Sequence, residues 1–256
     1  MRKYLISIED EESPRLKAFF VQPTFHKYLS DFKKIGIKGA SLPTSEYFKQ
    51  AVSGKNRPLS PAELGCTLSH IQALKDFLST NEKYACIFED DAISVGNYDL
   101  QKIELELSEL GLKEQFFLSL GGIQLHINRH VRGSFLKNNL VDKKVLKVNL
   151  LYIRRFSYAY AYIVDRKMAE TLVKYHELPK VFDHWGKLYD MNHNIHIYAT
   201  HLFDHPELAE CAAGQSYLEM ERQSLQLQKN KRRSTWYRLK ISLLKRFYSL
   251  TLNKYY

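Results

Sequence analysis

The chain has 256 residues, of which 45% are hydrophobic and 26% charged, a composition typical of a soluble globular protein with one substantial core. No stretch approaches the roughly 18 to 20 consecutive apolar residues that span a bilayer, and the start lacks the long apolar region and cleavage site of a signal peptide. We therefore expect no membrane-spanning segment and no signal peptide. The three cysteines, Cys66, Cys86 and Cys211, are odd in number and lack metal-type spacing, which is typical of reduced thiols in a cytosolic protein.

The net charge of +10 is concentrated at one end of the chain. Residues 229–256 contain nine Lys or Arg and no Asp or Glu, which leaves 29 basic and 28 acidic residues in the rest. A protein that binds nucleic acid across its folded face should carry positive charge there, so we expect no nucleic-acid partner. We predict two parts: a folded domain over 1–228 and a basic helical tail over 229–256.

The first half of the chain alternates strand and helix signals. An apolar, β-branched run over 4–8 predicts a strand, and a helix is expected over 15–21. A second strand is predicted over 35–42. Ser60 is then followed by Pro61 and Glu63, the pattern of an N-capping residue, a first-turn proline and a capping box, which predicts a helix to about residue 79.

The second half begins with a short apolar run over 84–88 that predicts a central strand and ends in three carboxylates, Glu89, Asp90 and Asp91. Further elements are predicted as a helix over 98–110, strands over 116–120 and 157–164, and a helix over 165–175. This alternation favours an α/β domain with a largely parallel central sheet.

The carboxylates after the buried strand carry the strongest chemical signal. Ligands of open α/β sheets bind at the carboxyl ends of the strands, and Glu89 and Asp91, one residue apart, are able to hold one hard cation. Mg²⁺ or Mn²⁺ there would bridge a diphosphate and neutralise charge on a leaving nucleotide. The alternative is a solvated turn or helix cap. The three carboxylates repel one another, and a bound cation would relieve this repulsion. We therefore give the cation site and the solvated turn or cap equal weight.

Four motifs extend this signal. They are Leu-Ser-Pro-Ala-Glu-Leu-Gly-Cys-Thr-Leu-Ser-His over 59–70, Ile-Phe-Glu-Asp-Asp-Ala over 87–92, Tyr-Ala-Tyr-Ile-Val over 160–164 and Val-Phe-Asp-His-Trp over 181–185. In this order, and with Arg15 before them, they resemble the bacterial lipooligosaccharide glycosyltransferases of family 25, relatives of β-galactosyltransferases and collagen galactosyltransferases. The resemblance covers roughly residues 1 to 215.

The resemblance implies a GT-A fold, a UDP-sugar donor, Mn²⁺ or Mg²⁺ at the acidic motif and inversion at the anomeric carbon. Galactose is the donor sugar that it favours, and a lipid-linked oligosaccharide is the expected acceptor. Inversion by direct displacement needs a general base for the acceptor hydroxyl. Asp183 matches the family's downstream aspartate and is the predicted base. The alternative is a structural aspartate that caps a helix or pairs with His184.

Other candidate residues follow from the same motifs. The predicted metal ligands are Asp91 and Glu89 with a histidine, His201 or His205, after a late strand. The donor-binding candidates are Ser7, Arg15, Glu63, Ser69, His70, Glu89 and Asp90. For three of these a simpler interpretation stays open: Glu63 as a capping residue, His70 as a structural histidine and Arg15 as a solvated helix residue.

The basic tail mixes cations with aromatic residues, a pattern typical of an interfacial helix on an anionic leaflet. Each cation near such a surface contributes on the order of 1 kcal/mol. A terminal helix without a partner is the alternative. The membrane-contact candidates are Arg232, Arg233, Trp236, Lys240, Lys245 and Arg246. We expect a peripheral protein on the cytoplasmic face of the bacterial inner membrane.

Two other functions stay open from the sequence. A metal-dependent phosphoesterase or nuclease would use the same carboxylates, but such sites place ligands for a second ion about 4 Å away, and no His-Asp cluster has obvious spacing for it. The other is a non-catalytic, membrane-associated nucleotide-sugar-binding protein. Carboxylates at the end of a buried strand argue against that interpretation.

Overall fold

A single mixed sheet forms the centre of the protein. The computed structural model describes residues 1–206, 244, 248 and 251–256, and within them ten strands form the sheet. The strands are β1 Arg2–Ile6, β2 Phe32–Ile35, β3 Tyr84–Glu89, β4 Ile93–Ser94, β5 Phe116–Gly121, β6 Arg132–Phe135, β7 Leu146–Val148, β8 Ala161–Asp165, β9 His196–Asp204 and β10 Asn253–Lys254. Their order is β10-β6-β7-β9-β5-β8-β3-β1-β2, and β4 pairs with β9 outside this path.

The central strands run largely in one direction. Strand β1 is parallel to β2 and β3, and β9 is parallel to β5. Strand β8 is antiparallel to both of its neighbours, β3 and β5. Five of the six strands from β2 to β9 therefore share a direction, which confirms the predicted largely parallel core, whereas the pairs at the β10 end are antiparallel. The carboxyl ends of β1, β3, β5 and β9 consequently lie along one edge, where ligands of such sheets bind.

Seven α-helices accompany the sheet among the described residues, with 3₁₀ turns and a π-helical turn, Phe48–Val52, between elements. The helices are α1 Pro14–Val21, α2 Pro23–His26, α3 Thr44–Tyr47, α4 Pro61–Leu78, α5 Leu100–Leu107, α6 Arg166–Tyr175 and α7 Trp185–Met191. The predicted capping box of α4 is present, because the Ser60 hydroxyl accepts from the Glu63 N–H and the Glu63 carboxylate accepts from the Ser60 N–H. Asp99 and Asp165 cap α5 and α6 through their side chains.

The core occupies both faces of the sheet. Alternate residues of β3 divide between them: Ile87 packs with α4, α6 and α7, whereas Phe88 packs with α1, α2 and α5. Trp185 is fully buried on the first face and Phe25 on the second. Burial on both faces explains why these strands read as continuous apolar runs rather than as an alternating pattern.

Two predicted strands have different bounds in the structure. The strand predicted over 35–42 is wrong in position, because β2 ends at Ile35 and the following residues pack as a turn on α4. A Cβ on Gly36 would lie 1.8 Å from the Ser7 carbonyl oxygen, so the glycine permits this close approach. The strand predicted over 157–164 begins only at Ala161, since Tyr158 has a positive φ of 82° that breaks the extended backbone.

The end of the predicted tail joins the sheet. Strand β10 pairs with β6, and the Tyr255 hydroxyl donates to the Lys144 carbonyl oxygen at 3.0 Å. The predicted membrane contacts Arg232, Arg233, Trp236, Lys240, Lys245 and Arg246 lie outside the described residues. Among the described residues, no helix combines the length and apolar character needed to cross a bilayer.

A buried histidine makes stability depend on pH. His176 is 3% exposed, stacks on Phe182 with ring centroids 5.2 Å apart, and burial lowers its pKa to about 3. In the unfolded chain its pKa is near 6.5, so the unfolded state binds the additional proton as the pH falls below about 6.5. We expect the free energy of unfolding to decrease by up to about 2 kcal/mol between pH 7.5 and pH 5 from this residue.

Urea unfolding at several pH values measures this effect. The variant His176→Phe keeps a ring against Phe182 and removes the titrating group, so its free energy of unfolding should change less between pH 7.5 and pH 5. Equal pH dependence in the two proteins would show that His176 is not the cause.

Candidate active site

We call Glu89, Asp90 and Asp91 the acidic motif. It begins at the last residue of β3 and lies at the edge of the sheet where the parallel strands have their carboxyl ends. The Arg15 side chain of α1 reaches across to it: Nε donates to Oδ1 of Asp90 at 2.5 Å and Nη2 donates to Oδ2 of Asp91 at 2.9 Å. The side chains of Asp90 and Asp91 are only 8% and 16% exposed. Burial raises the pKa of Asp90 to about 6, although Arg15 and a hydrogen bond with Ser7 act in the opposite direction. The acidic motif is thus a crowded, poorly solvated group of carboxylates.

Asp91 faces a histidine from the end of β9. Pairing of β4 with β9 brings the two segments together, and Nε2 of His205 lies 3.2 Å from Oδ2 of Asp91. Burial alone would raise the pKa of Asp91, but the interactions with His205 and Arg15 outweigh it and the pKa is lowered. Asp91 is therefore an anion at neutral pH. Its other oxygen, Oδ1, is buried and has no hydrogen-bond partner among the described residues.

Glu89 is held by a histidine of α4. Nε2 of His70 lies 3.1 Å from Oε1 of Glu89, and Nδ1 of the same ring lies 3.0 Å from the Tyr162 hydroxyl of β8. The fully buried imidazole also stacks on Phe182, with centroids 4.3 Å apart and planes at 15°. The Sγ atom of Cys66, one turn earlier on α4, lies within 4.8 Å of the ligand atoms of His70 and Glu89.

Asp183 lies beside the same edge, before α7. Its Oδ2 accepts a hydrogen bond from the Tyr158 N–H at 3.0 Å, which holds the positive-φ turn at Tyr158. The ring of Tyr158 is 5.8 Å from that of His205. Asp183 is therefore connected to the Asp91–His205 pair through one residue, and its side chain is only partly buried.

The chemistry of this edge fits a divalent cation. Carboxylate oxygens of Glu89 and Asp91 are the hard ligands that Mg²⁺ and Mn²⁺ prefer, and an imidazole such as His205 is compatible with Mn²⁺. The unpartnered, buried Oδ1 of Asp91 is the observation that calls for a further partner.

Comparison with known proteins identifies the family of the chain. Residues 1–185 match the family described as Glycosyltransferase family 25 (LPS biosynthesis protein). The chain belongs to this family. Its members are accordingly described as glycosyltransferases of lipopolysaccharide biosynthesis, and the predicted family membership is confirmed.

Comparison of this family 25 glycosyltransferase with curated protein sequences gives no match. Among solved structures, it is similar to mannose-1-phosphate geranyltransferase from Thermus thermophilus. The identity is 10% and the TM-score 0.34, with 80% of this chain and 76% of that chain covered. A similarity this low carries no argument about fold or function.

Six predicted site residues of the family 25 enzyme meet at the edge: Ser7, Arg15, His70, Glu89, Asp90 and Asp91. Two others have structural partners. Glu63 caps α4, and its Oε1 accepts from Arg57 at 2.8 Å. The Ser69 hydroxyl accepts from the Ile37 N–H at 2.8 Å and donates to the Gly65 carbonyl oxygen at 2.7 Å. These contacts attach the turn after β2 to α4.

The histidine predicted first as a metal ligand lies elsewhere. His201 is paired with Asp204 at 2.8 Å through Nε2, and its Nδ1 contacts the Tyr256 hydroxyl. His205, the alternative four residues later, is the histidine that lies beside Asp91, and a role for either residue in binding a cation stays a prediction. Strand β9 continues to Asp204, and His205 directly after its end reaches the acidic motif.

Two contributors were missed in the sequence. Cys66 and His70 are four residues apart in a helix that the sequence predicted, which places both on one face, whereas Cys66 was predicted to be only a reduced thiol. The backbone N–H of Tyr158 as a partner of Asp183 had no sequence signal, because it depends on a positive φ at a non-glycine residue.

The glycine of the α4 motif has a packing role with a measurable consequence. A Cβ on Gly65 would lie 2.4 Å from the Ile37 carbonyl oxygen. Gly65→Ala should therefore lower the free energy of unfolding by about 1–3 kcal/mol, whereas alanine in an open helix interior would raise it by about 1 kcal/mol. Urea unfolding gives the sign, and a more stable variant would contradict the close approach.

Proposed function

We propose that this chain is an inverting, cation-dependent glycosyltransferase with a GT-A fold that transfers a sugar, galactose by family resemblance, from a UDP-sugar. The observation that carries the proposal is the ionised Asp91, whose buried Oδ1 has no partner among the described residues and whose Oδ2 faces His205. Glu89 lies two residues earlier at the end of β3. Membership in family 25 supplies the class of reaction.

The donor would bind along the edge of the sheet that carries the acidic motif. Asp91 and His205, which face each other, would hold Mn²⁺ or Mg²⁺ together with Glu89, whose carboxylate lies beside Cys66 and His70 in this structure. The bound ion would neutralise the negative charge of the diphosphate. Arg15 is 44% exposed and already bridges Asp90 and Asp91, so its guanidinium is placed to contact a phosphate oxygen of the donor. Ser7 positions Asp90, because the two side chains share a hydrogen bond.

Asp183 would act as the general base for the acceptor. Direct displacement requires one group to remove the proton of the attacking hydroxyl as the sugar–phosphate bond breaks. Oδ2 of Asp183 is occupied by the Tyr158 N–H, which fixes the carboxylate while the residue keeps partial access to solvent. Tyr158 connects this base to the histidine that faces Asp91, because its N–H bonds to Asp183 and its ring lies 5.8 Å from that of His205.

A cationic surface around the loop 126–130 would face the acceptor. The amide of Asn128 bonds to Ser157 in both directions, at 3.2 and 3.1 Å, and thereby attaches the loop 126–130 beside Tyr158. Desolvation and neighbouring positive charges lower the pKa of His130, and Arg129, Arg155 and Lys254 carry those charges. Ile127 on the same loop is 56% exposed. Cations around an exposed apolar residue suit an anionic membrane surface that carries a lipid-linked acceptor.

The remaining parts of the proposal concern organisation and location. Residues 1–228 would form the catalytic domain and 229–256 a basic tail for the membrane, whose strand β10 completes the sheet of that domain. Strand β10 brings the end of that tail to β6 and the cationic surface, so tail and surface would contact the same leaflet. The enzyme would then act peripherally on the cytoplasmic face of the inner membrane, adding a sugar to a growing surface glycan.

Thermal unfolding of the purified chain with nucleotide sugars tests the proposed function. The panel contains UDP-galactose, UDP-glucose, UDP-N-acetylglucosamine, UDP-N-acetylgalactosamine and CMP-sialic acid, each with and without Mn²⁺. We expect one UDP-sugar to raise the melting temperature only when Mn²⁺ is present, because binding to the folded state adds to its stability. A panel without any cation-dependent response would contradict the proposal and favour the phosphoesterase and non-catalytic interpretations.

Charge reversal tests the membrane surface. Arg129→Glu combined with Arg155→Glu should weaken sedimentation with vesicles containing phosphatidylglycerol by at least about tenfold, since each cation contributes on the order of 1 kcal/mol. Lys167→Glu is the matched control, because Lys167 lies on α6 in an ion pair with Glu114. Equal binding of the double variant and the control would remove this surface from the proposal.

A further inference from the structure

Three potential metal ligands of different chemistry converge beside the acidic motif. Sγ of Cys66, a ring nitrogen of His70 and a carboxylate oxygen of Glu89 all lie within 4.8 Å of one another. Cys66 and His70 come from successive turns of α4, and Glu89 comes from the end of β3. A helical pair four residues apart that faces a third ligand is a recurrent arrangement in zinc proteins. We refer to these three residues as the thiol cluster.

The thiol cluster differs in ligand preference from the Asp91–His205 pair. Thiolate and imidazole favour borderline and soft ions such as Zn²⁺, whereas Mg²⁺ and Mn²⁺ favour oxygen ligands. One sulfur, one nitrogen and one oxygen ligand with a fourth position for water correspond to an open tetrahedral zinc site. Among the described residues, this is the group of three His, Cys, Asp or Glu side chains whose ligand atoms all lie within 4.8 Å of one another.

The surroundings of His70 support a ligand role for its Nε2 atom. Metal-bound histidines commonly hydrogen-bond through the other ring nitrogen, which fixes the ring. Nδ1 of His70 lies 3.0 Å from the buried Tyr162 hydroxyl, and the ring is stacked on Phe182. The imidazole is thus oriented so that Nε2 points at Glu89. The side chain of Glu89 is 28% exposed and Cys66 is partly exposed, so an ion from solvent has access.

We propose that Cys66, His70 and Glu89 form a binding site for a thiophilic divalent cation of the zinc class, which overlaps the site for the catalytic cation at Glu89. Binding would release the thiol proton to solvent as the thiolate–metal bond forms. Glu89 is common to both sites in the proposed function, and the consequence for catalysis rests on that function. An ion held by the thiol cluster would take the Glu89 carboxylate away from Mn²⁺ or Mg²⁺ and inhibit transfer.

Spectroscopy with Co²⁺ as the probe tests the site without any assay of turnover. The full chain, freed of metal with a chelator, is titrated with Co²⁺, and absorption is recorded. We expect one equivalent to give tetrahedral ligand-field bands and a near-ultraviolet thiolate charge-transfer band, which Zn²⁺ then abolishes. Cys66→Ser should lose the charge-transfer band, and its affinity for Zn²⁺ should be at least about tenfold lower; Cys66→Ala is a second variant.

Cys211→Ser is the matched control, because it makes the same Cys-to-Ser change at another thiol of the chain. It should keep the band. A wild-type titration without a thiolate band, a band that persists in Cys66→Ser, or a band lost in Cys211→Ser would each overturn the proposed site.

The outcomes are separable from those of the donor experiment. A thiolate band from a protein that binds no UDP-sugar would support the thiol cluster and contradict the proposed function. Mn²⁺-dependent donor binding without a thiolate band would support the proposed function and contradict the thiol cluster as a metal site. If both hold, Zn²⁺ should inhibit transfer in the wild type at concentrations at least about tenfold lower than in Cys66→Ser.

Discussion

Replacing Asp91 with asparagine is expected to reduce turnover by about a thousandfold, because the carboxylate is the predicted anchor of the catalytic cation and such an ion contributes several kcal/mol to stabilising the transition state. Asparagine preserves the size of the side chain and one acceptor oxygen. The negative charge next to His205 and Arg15 is what is lost. Turnover of a UDP-sugar at saturating Mn²⁺, measured as UDP released, gives the effect.

The control for this variant is Asp31→Asn. Asp31 forms an exposed ion pair with Lys3 at 3.3 Å, away from the acidic motif, and its loss should leave turnover within about twofold, as expected for an exposed pair worth at most about 1 kcal/mol. Asp91→Asn should also lose the Mn²⁺-dependent rise in melting temperature. Turnover of Asp91→Asn within tenfold of the wild type would contradict the assignment of Asp91 as a cation ligand.

The second large effect is expected for Asp183→Asn. Removal of a general base lowers the rate of the chemical step by about 10²- to 10⁴-fold. The amide oxygen of asparagine is still able to accept the Tyr158 N–H, as Oδ2 of Asp183 does, so that the positive-φ turn is preserved. We therefore expect kcat to fall while the KM for the donor and the melting temperature stay close to those of the wild type.

The pH profile separates a base from a structural aspartate. If Asp183 removes the proton, the acidic limb of the kcat profile that belongs to its ionisation should disappear in Asp183→Asn. A structural aspartate would instead lower the melting temperature when replaced by alanine and leave the shape of the pH profile unchanged. Near-normal kcat in Asp183→Asn would exclude the base role.

Local sequence patterns predicted the helix and the strand that position the acidic motif. Helix α4 begins where Ser60, Pro61 and Glu63 indicated, because a capping box and a first-turn proline act through backbone groups only a few residues apart. Strand β3 was equally recognisable, since the apolar run of a strand buried on both faces ends sharply at Glu89. Signals of this kind need no information about distant parts of the chain.

The roles of side chains within the motifs depended on tertiary contacts. Ser69 was expected near the donor but holds the turn at Ile37. The choice between His201 and His205 depended on where β9 ends, and that follows from its pairing with β4 and β5. The strand expected over 35–42 was lost to a close approach that Gly36 permits. Each of these contacts joins residues far apart in sequence, where local periodicity carries no information.

Anomalous diffraction from crystals grown with Mn²⁺ and UDP tests the central claim most directly. We expect a manganese peak within bonding distance of Oδ1 of Asp91 and Nε2 of His205, with Arg15 beside the diphosphate. A peak in the thiol cluster alone, or UDP bound without a peak at Asp91, would contradict a catalytic cation held by the acidic motif.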